Sequence, residues 1–428
     1  MAQQALRING ERLNSTLHST CTSWGALPNS TGMRRLALSQ ADKEVRDWLA
    51  RECHSLGCEV RVDQMGNMFA IRAGSAKDRK PIAMGSHLDT QPAGGRYDGI
   101  LGVQSALEVL RTLSENNVET YAPIALVNWT NEEGARFPGA MMCSGVWSTK
   151  SSNDLEACWA VKDIDGIPMK KALEDIGYLG VTPCDYRQNG LECHFELHIE
   201  QGPLLEASCS KVGVVTAVQA MKWYSVRVSG IEGHSGTTPM AGRSDAMVTA
   251  SRLIVTVSDI AKSTGLGVAT VGVITNDTQS QSTIPSGVEF IIDIRCSTDR
   301  MVEDLCEAIF KSFDEIIVKE CNNTKYHVVR TWGLPESIFH TDCVEAVRSA
   351  ALVEVGSGKI MEMKSGAGHD AAWASKVTKS SMIFVPSKDG ISHNPAEYTS
   401  PEDCALGAQV LLQAVLNYDE GLKKGTIL

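Results

Sequence analysis

Two apolar runs in this chain stop abruptly at histidines or carboxylates, "KPIAMGSHLDT" and "APIALVNWTNEEG", and "ECHFELHIEQGP" offers a third strand end of that kind. The first two read as strands buried on both faces, which places them in a sheet covered by helices. Between them "GILGVQSALEVLRTLSE" has helical apolar spacing. Strand, loop and helix in alternation predict an α/β fold with a mixed central sheet flanked by helices. In open sheets of this kind ligands collect at the carboxyl ends of strands. The polar tips of the three segments are therefore the places to look for chemistry.

The flanking segments fit the same plan. In "SQADKEVRDWLARECHSLGCEV" the residues Val45, Trp48, Leu49 and Leu56 recur at helical spacing, with Ser39 placed to cap the helix and Gly57 to stop it. A strand-like run, "EVRVDQMGNMFAIRAG", follows. At 428 residues two domains are expected, and the texture changes near residue 218. There "KWYSVRVSG" and "VEFIIDIRCS" alternate as half-buried strands, with helical stretches "DAMVTASRLIVTVSDIAKS" and "VEDLCEAIFKSFDEIIVKEC". Residues 218–331 are read as an inserted α+β domain, an antiparallel sheet with two helices. Residues 1–217 and 332–428 form the two parts of the first domain, since "SMIFVP" and "SPEDCALGAQVLLQAVLNYDEGL" return to its texture. There is no internal repeat and no low-complexity segment.

A net charge of -11 without a basic run argues against nucleic acid. The thirteen cysteines are odd in number and lack paired spacing, which argues against a secreted disulfide framework. The N-terminal stretch has no apolar core of signal type, and no membrane-length apolar run occurs. The expectation is a soluble cytoplasmic protein with no membrane partner.

Metal-ligand chemistry is the strongest theme at the strand ends. His87, Asp89, Asp98, the pair Glu132 and Glu133, His198 and His393 all fall in predicted loops or strand tips. Imidazole and carboxylate without thiolate suit a catalytic zinc or manganese site with an open position for water. Taken singly each has an ordinary explanation: a lone histidine is most often hydrogen-bonded or exposed, and "NEEG" alone is a solvated turn. His54, His194 and His327 are read in that ordinary way. Candidate ligands at five such places in one sheet are harder to explain by composition. Adjacent glutamates can also divide the work, one binding metal and the other moving protons. The glycines of "GGRYDGILGV" read as turn formers ahead of a helix.

At these residues the sequence resembles the dinuclear zinc amidohydrolases that include N-carbamoyl-L-amino acid hydrolases, allantoate amidohydrolases and the yeast type of β-alanine synthase (β-ureidopropionase). The resemblance runs from "GMRRLALSQADKEVRDWL" through "GSHLDT", "GGRYDGILGV", "NEEGARFPG", "HIEQGP", "GHSGTTPM", "IDIR" and "GAGHDA" to "SHNPAE". Within it "DTQPAGGRYDGILGV" leans towards the yeast β-alanine synthase branch. The resemblance implies a zinc-exopeptidase-like catalytic domain and an inserted domain serving as lid and dimerisation module. It further implies two zinc ions bridged by Asp98, one completed by His87 and His198, the other by Glu133 and His393. Asp89 would orient His87, and Glu132 would be the general base and acid. The implied reaction starts from a water between the ions, whose proton Glu132 takes; attack on the carbamoyl carbon follows, and Glu132 returns the proton to the leaving nitrogen. The carbamate product then breaks down to carbon dioxide and ammonia.

The resemblance also implies that His234, from the partner subunit of a homodimer, stabilises the oxyanion. Without it His234 reads as part of a polar turn. Arg295 would anchor a substrate carboxylate through paired hydrogen bonds; its plainer reading is a pair with Asp293 or Asp299. Gln201 would hold another polar group of the substrate. One departure stands out: where the family commonly has asparagine in an "NVIP"-like segment, this chain reads "QSTIP", with Ser282. A hydroxyl offers less reach than an amide, so the pocket is expected to differ. Allantoate hydrolysis, dipeptidase or aminoacylase activity, and a catalytically silent ligand-binding paralogue are the competing expectations.

Overall fold

A computed structural model describes residues 6–149, 155–321 and 323–427. The chain divides into two compact units, residues 1–217 with 338–428, and residues 218–337. The second boundary lies beyond residue 331 because strand Lys325–Leu334 runs through that point, still paired with Ala220–Ser229. Its mixed polar and apolar sequence carries no mark of the crossing.

In the first unit the described residues build a nine-stranded sheet. Its centre is four parallel strands in the order Ile124–Trp129, Ile82–His87, Cys193–Ile199 and Lys379–Val385. Antiparallel strands flank them, Met68–Arg72 on one side and Val212–Val218 on the other. The first three central strands are buried at every position, which is why Ile82–His87 and Ile124–Trp129 read as largely apolar runs, while Cys193–Ile199 buries the alternating polar side chains of His194, Glu196 and His198. Each fully buried Val, Ile or Leu contributes about 1.5–3 kcal/mol relative to exposure. The long helix Ile100–Glu115 lies on this sheet almost wholly buried. Gly102 permits the close approach: a Cβ there would sit 2.5 Å from the Leu197 carbonyl oxygen and 2.7 Å from Ser86 Cβ.

Chain order departs from spatial order at one place that matters. From strand Ile82–His87 the chain moves to its neighbour Ile124–Trp129, then crosses back to place Cys193–Ile199 on the other side. A reversal of this kind leaves a crevice at the carboxyl ends of the two strands it separates. Those ends carry His87 and His198.

Helix Gln40–Ser55 begins where the sequence places it, with Ser39 Oγ accepting the Asp42 amide. Its Asp42 and Arg46 form a fully buried ion pair, and Arg46 also donates to the Gly66 carbonyl and Thr130 Oγ1. The helix thereby anchors the first residue after strand Ile124–Trp129.

The second unit is a four-stranded antiparallel sheet, ordered Lys325–Leu334, Ala220–Ser229, Gly287–Cys296 and Gly267–Asn276. Helices Ala246–Thr264 and Asp299–Glu320 complete its core, with Leu253, Val257, Leu305, Ile309 and Phe313 against Val226, Val228, Phe290, Ile292 and Ile294. Strict alternation along Gly287–Cys296 sends Phe290, Ile292 and Ile294 inward and Asp293 and Arg295 to the opposite face. Among the described residues no helix is long and apolar enough to cross a membrane.

Candidate metal centre and active site

His87 ends its strand with its ring 1% exposed. The ring's Nδ1 lies 2.9 Å from the Asp89 carbonyl oxygen, and His198 Nδ1 lies 2.8 Å from that of Ile199. A carbonyl only accepts, so each ring carries its hydrogen on Nδ1 and turns Nε2 towards the crevice. What Nε2 meets is Asp98. Its Oδ1 is 3.0 Å from His198 Nε2 and 3.5 Å from His87 Nε2, while Oδ2 is 3.2 Å from His393 Nε2. Glu133 completes the far side, 3.4 Å from His393 Nε2.

Two ligand clusters therefore meet on one carboxylate: His87, Asp98 and His198, and Asp98, Glu133 and His393. Each oxygen of Asp98 serves a different cluster. This is the set the resemblance implies, and it fits a pair of divalent cations on chemical grounds. Imidazole lone pairs directed at carboxylate oxygens repel unless a proton or a cation lies between them. No cysteine takes part in these clusters, a donor set suited to zinc or manganese. The carboxyl groups register the same crowding. Burial, then Asp98, pushes Glu133 up to about 7. Burial likewise holds Glu132 well above the ordinary carboxyl range, with Asp370, Glu133 and Asp98 adding to the shift against the pull of His87. For His87 burial opposes the charged ring, but Glu132, Asp98 and Asp89 outweigh it and raise its pKa.

Glu132 stands apart from both ligand clusters, its Oε2 3.5 Å from His87 Nε2. It is 7% exposed, which leaves it in contact with the crevice. Asp89 sits where the sequence places it but works differently. Its main-chain carbonyl, not its carboxylate, holds the His87 ring, while the carboxylate accepts the amides of Glu132 and Glu133, each at 3.3 Å. One residue thus fixes a ligand ring and the loop bearing both glutamates. Gln201 also differs from expectation: its Nε2 donates to Asp98 Oδ2 at 2.8 Å and to Ser392 Oγ at 3.0 Å.

Gly99, with φ of +66°, closes the turn after Asp98. A Cβ there would fall 2.3 Å from His87 Nε2, so any side chain collides with the ring as well as straining the backbone.

Supporting residues escaped the sequence reading. Glu196 accepts from Ser86 Oγ at 2.6 Å and the Ala371 amide at 2.8 Å. His369, in "GAGHDA", packs edge-on against His198 with ring centres 4.5 Å apart. Glu196, His198 and His369 form a third possible ligand group, but His198 already directs Nδ1 to a carbonyl and Nε2 to Asp98. Gln91 donates to Glu133 Oε2 at 2.7 Å. Glu397 accepts the amides of Tyr97 and Asp98. The signal for these was their presence in motifs already singled out, polar residues inside otherwise apolar or turn-forming stretches. By contrast His194, read as ordinary, is fully buried against Trp129, with its pKa lowered by burial to about 3.

His234, Ser282 and Arg295 belong to the second unit. His234 is exposed in a two-stranded ribbon, opposite Thr283 in register, and the Ser235 amide donates to the Ser282 carbonyl. The structure thus brings His234 and Ser282 side by side. Arg295 pairs with Asp293 through Nε and Nη2, at 3.0 and 2.7 Å. Its plainer sequence reading is the arrangement seen.

A parallel-centred α/β sheet with two carboxylate-bridged ligand clusters in its switch-point crevice defines a class of metal-binding hydrolytic scaffold. The chain belongs to peptidase family M20/M25/M40, whose pattern matches residues 83–417. It is 38% identical to an N-carbamoyl-L-amino-acid amidohydrolase of Rhizobium meliloti over 97% of both chains. It is 31% identical to an allantoate amidohydrolase of Bacillus subtilis, covering 89% of this chain and 91% of the other. Among solved structures, a hydantoinase/carbamoylase family amidase from Burkholderia vietnamiensis superimposes with a TM-score of 0.89 at 40% identity, over 97% of this chain and 98% of that one.

Proposed function

We propose that this chain is a dinuclear zinc amidohydrolase. It hydrolyses the ureido C–N bond of an N-carbamoyl amino acid, with N-carbamoyl-L-amino acids as first candidates and N-carbamoyl-β-alanine as the second. The observation that carries the reading is the division of Asp98, one oxygen to His87 and His198 and the other to His393, with Glu132 beside the pair but outside it. Similarity to the Rhizobium enzyme supports the ureido substrate. The thirteen cysteines form no disulfide, which supports a reducing cytoplasm.

His87, Asp98 and His198 would hold one cation and Asp98, Glu133 and His393 the other. When bound, such a pair acidifies water and polarises a carbonyl. The chain's own residues supply the proton traffic. Glu132 accepts the proton of the attacking water on its carboxylate. It then delivers that proton to the amino-acid nitrogen as the C–N bond breaks, so the amine leaves neutral and carbamate decomposes to carbon dioxide and ammonia. Burial, which raises the Glu132 pKa, makes it a stronger base than an exposed glutamate and so fits it to both steps. Asp89 keeps Glu132 in place through its amide.

Purified, metal-loaded protein should release ammonia from N-carbamoyl-L-amino acids faster than from allantoate, with N-carbamoyl-β-alanine as the third arm. Peptide cleavage without ammonia would instead favour the dipeptidase or aminoacylase reading. Preference for allantoate would favour the relationship to the Bacillus subtilis enzyme, and binding without turnover the silent paralogue.

The second unit is proposed as lid and dimerisation module. The edge strand Gly267–Asn276 exposes Val268, Val273 and Ile274, and helix Ala246–Thr264 exposes Val248 and Val255. Exposed apolar residues grouped on one unit suit a second copy of the chain. His234 would then reach the partner's site as oxyanion donor, with Ser282 and Arg295 contributing to substrate binding. Mixing His234→Ala with Glu132→Gln chains, each inactive alone, should restore up to about a quarter of wild-type activity, since random exchange gives half heterodimers with one intact site each. Confirmed subunit exchange without recovery rules out the shared site.

A further inference from the structure

The two ligand clusters are built on different kinds of element. His87 and His198 end buried central strands. His393 comes from a loop, has φ of +54° and is 50% exposed. Something must bring that loop to Asp98, which lies almost three hundred residues earlier in the chain.

Glu397 occupies the junction, 4% exposed. Its Oε1 accepts the amides of Tyr97 at 3.0 Å and Asp98 at 3.1 Å, and its Oε2 accepts Ser392 Oγ at 2.9 Å. Ser392 precedes His393 directly, and its hydroxyl is also 3.3 Å from Asp98 Oδ2. Space for the carboxylate is made by Gly95, where a Cβ would fall 2.2 Å from Glu397 Oε1 and 2.3 Å from Glu397 Cβ. The carboxylate thus reaches the main chain of one ligand and the immediate neighbour of another, and touches neither metal-binding side chain. Amides held by an ionised acceptor are fixed more strongly than by a neutral one.

We infer that Glu397 is a positioning residue that latches the His393 loop onto the Asp98 turn, and so assembles the Asp98, Glu133 and His393 half of the centre. The inference rests on the dinuclear reading above. Glu397→Ala should keep the half built on His87 and His198 while weakening cation affinity at the other by about 10- to 100-fold, the usual cost of removing an outer partner of a metal ligand. Glu397→Gln should restore most of that affinity, because its amide oxygen can accept the two amides and its NH₂ can donate to Ser392 Oγ.

The test is zinc stoichiometry and competitive chelator titration on the full chain, with circular dichroism to verify folding. Wild-type protein that binds no second cation refutes the dinuclear reading itself. Wild-type protein with two cations, and a Glu397→Ala variant holding both with unchanged affinity, overturns the latch alone. Equal loss from both halves also overturns it. Should Glu397→Ala fail to fold, Ser392→Ala removes the hydroxyl that joins Glu397 to the His393 loop, together with its contacts to Gln201 and Asp98; it should weaken the same half, and no change there counts against the latch. Gly95→Ala, which drives a methyl into the Glu397 side chain with its charge intact, should reproduce the defect.

Discussion

Replacing Glu132 with Gln should lower kcat by about 10²–10⁴-fold while leaving the metal content unchanged. That range corresponds to roughly 3–5 kcal/mol of lost transition-state stabilisation. The two halves of the expectation have separate structural grounds. Activity falls because an amide cannot take up the water proton, and the adjacent carboxylate of Glu133 is already engaged by Gln91 and faces His393. Metal is retained because Glu132 lies outside both ligand clusters. The loop should hold its shape as well, since Asp89 grips it by the amides of residues 132 and 133 and not by their side chains. Loss of metal in Glu132→Gln would make Glu132 a ligand, and full activity would remove it from the mechanism. KM should change far less than kcat, because the proton transfer develops only in the transition state.

The same site shows what a single sequence makes legible. His87, Asp98 and His198 could be proposed because strand periodicity ends visibly beside them, and the fold rule for carboxyl ends of strands turns three distant segments into one place. Glu132 and Glu133 could be given separate roles because neighbouring carboxylates in a buried site rarely share one. Glu397 could not be read that way. Its function is to accept main-chain amides, and an amide carries no residue-specific mark in a sequence. Asp89 shows the limit from another side: the residue was identified, but the atom that does the orienting is a carbonyl every residue possesses. In the second unit strand Gly267–Asn276 passed unnoticed because "GVATVGVITN" mixes glycine with exposed valines at a sheet edge, where half the alternation signal is lost. Arg295 marks a further limit. Residues two apart on a strand share a face, so Asp293 was always within its reach, and composition alone could not rank that pairing against a substrate carboxylate.

Asp98→Ala should abolish activity and remove both cations together, a larger effect than any change to a ligand of one half. The reason is the split of its carboxylate. Without Oδ1 the cluster of His87 and His198 loses the carboxylate oxygen that both rings face, at 3.5 and 3.0 Å, and without Oδ2 His393 retains only Glu133. His87→Ala, by comparison, should leave the half built on Glu133 and His393 measurable. Stability gives an independent readout. A cation that binds only the folded state adds about 2.7 kcal/mol at a concentration one hundred times its Kd, so zinc should raise the Tm of the wild-type protein and leave that of Asp98→Ala unmoved. The uptake should also depend on pH with a definite sign. Burial and the Asp98 charge lift Glu133 to about 7 in the metal-free protein, so protons compete for that ligand below neutrality. Apparent affinity of the wild-type site should fall as pH drops through 7, with protons released on binding in that range. A Tm rise of wild-type size in Asp98→Ala would show that the two clusters do not depend on a shared bridge.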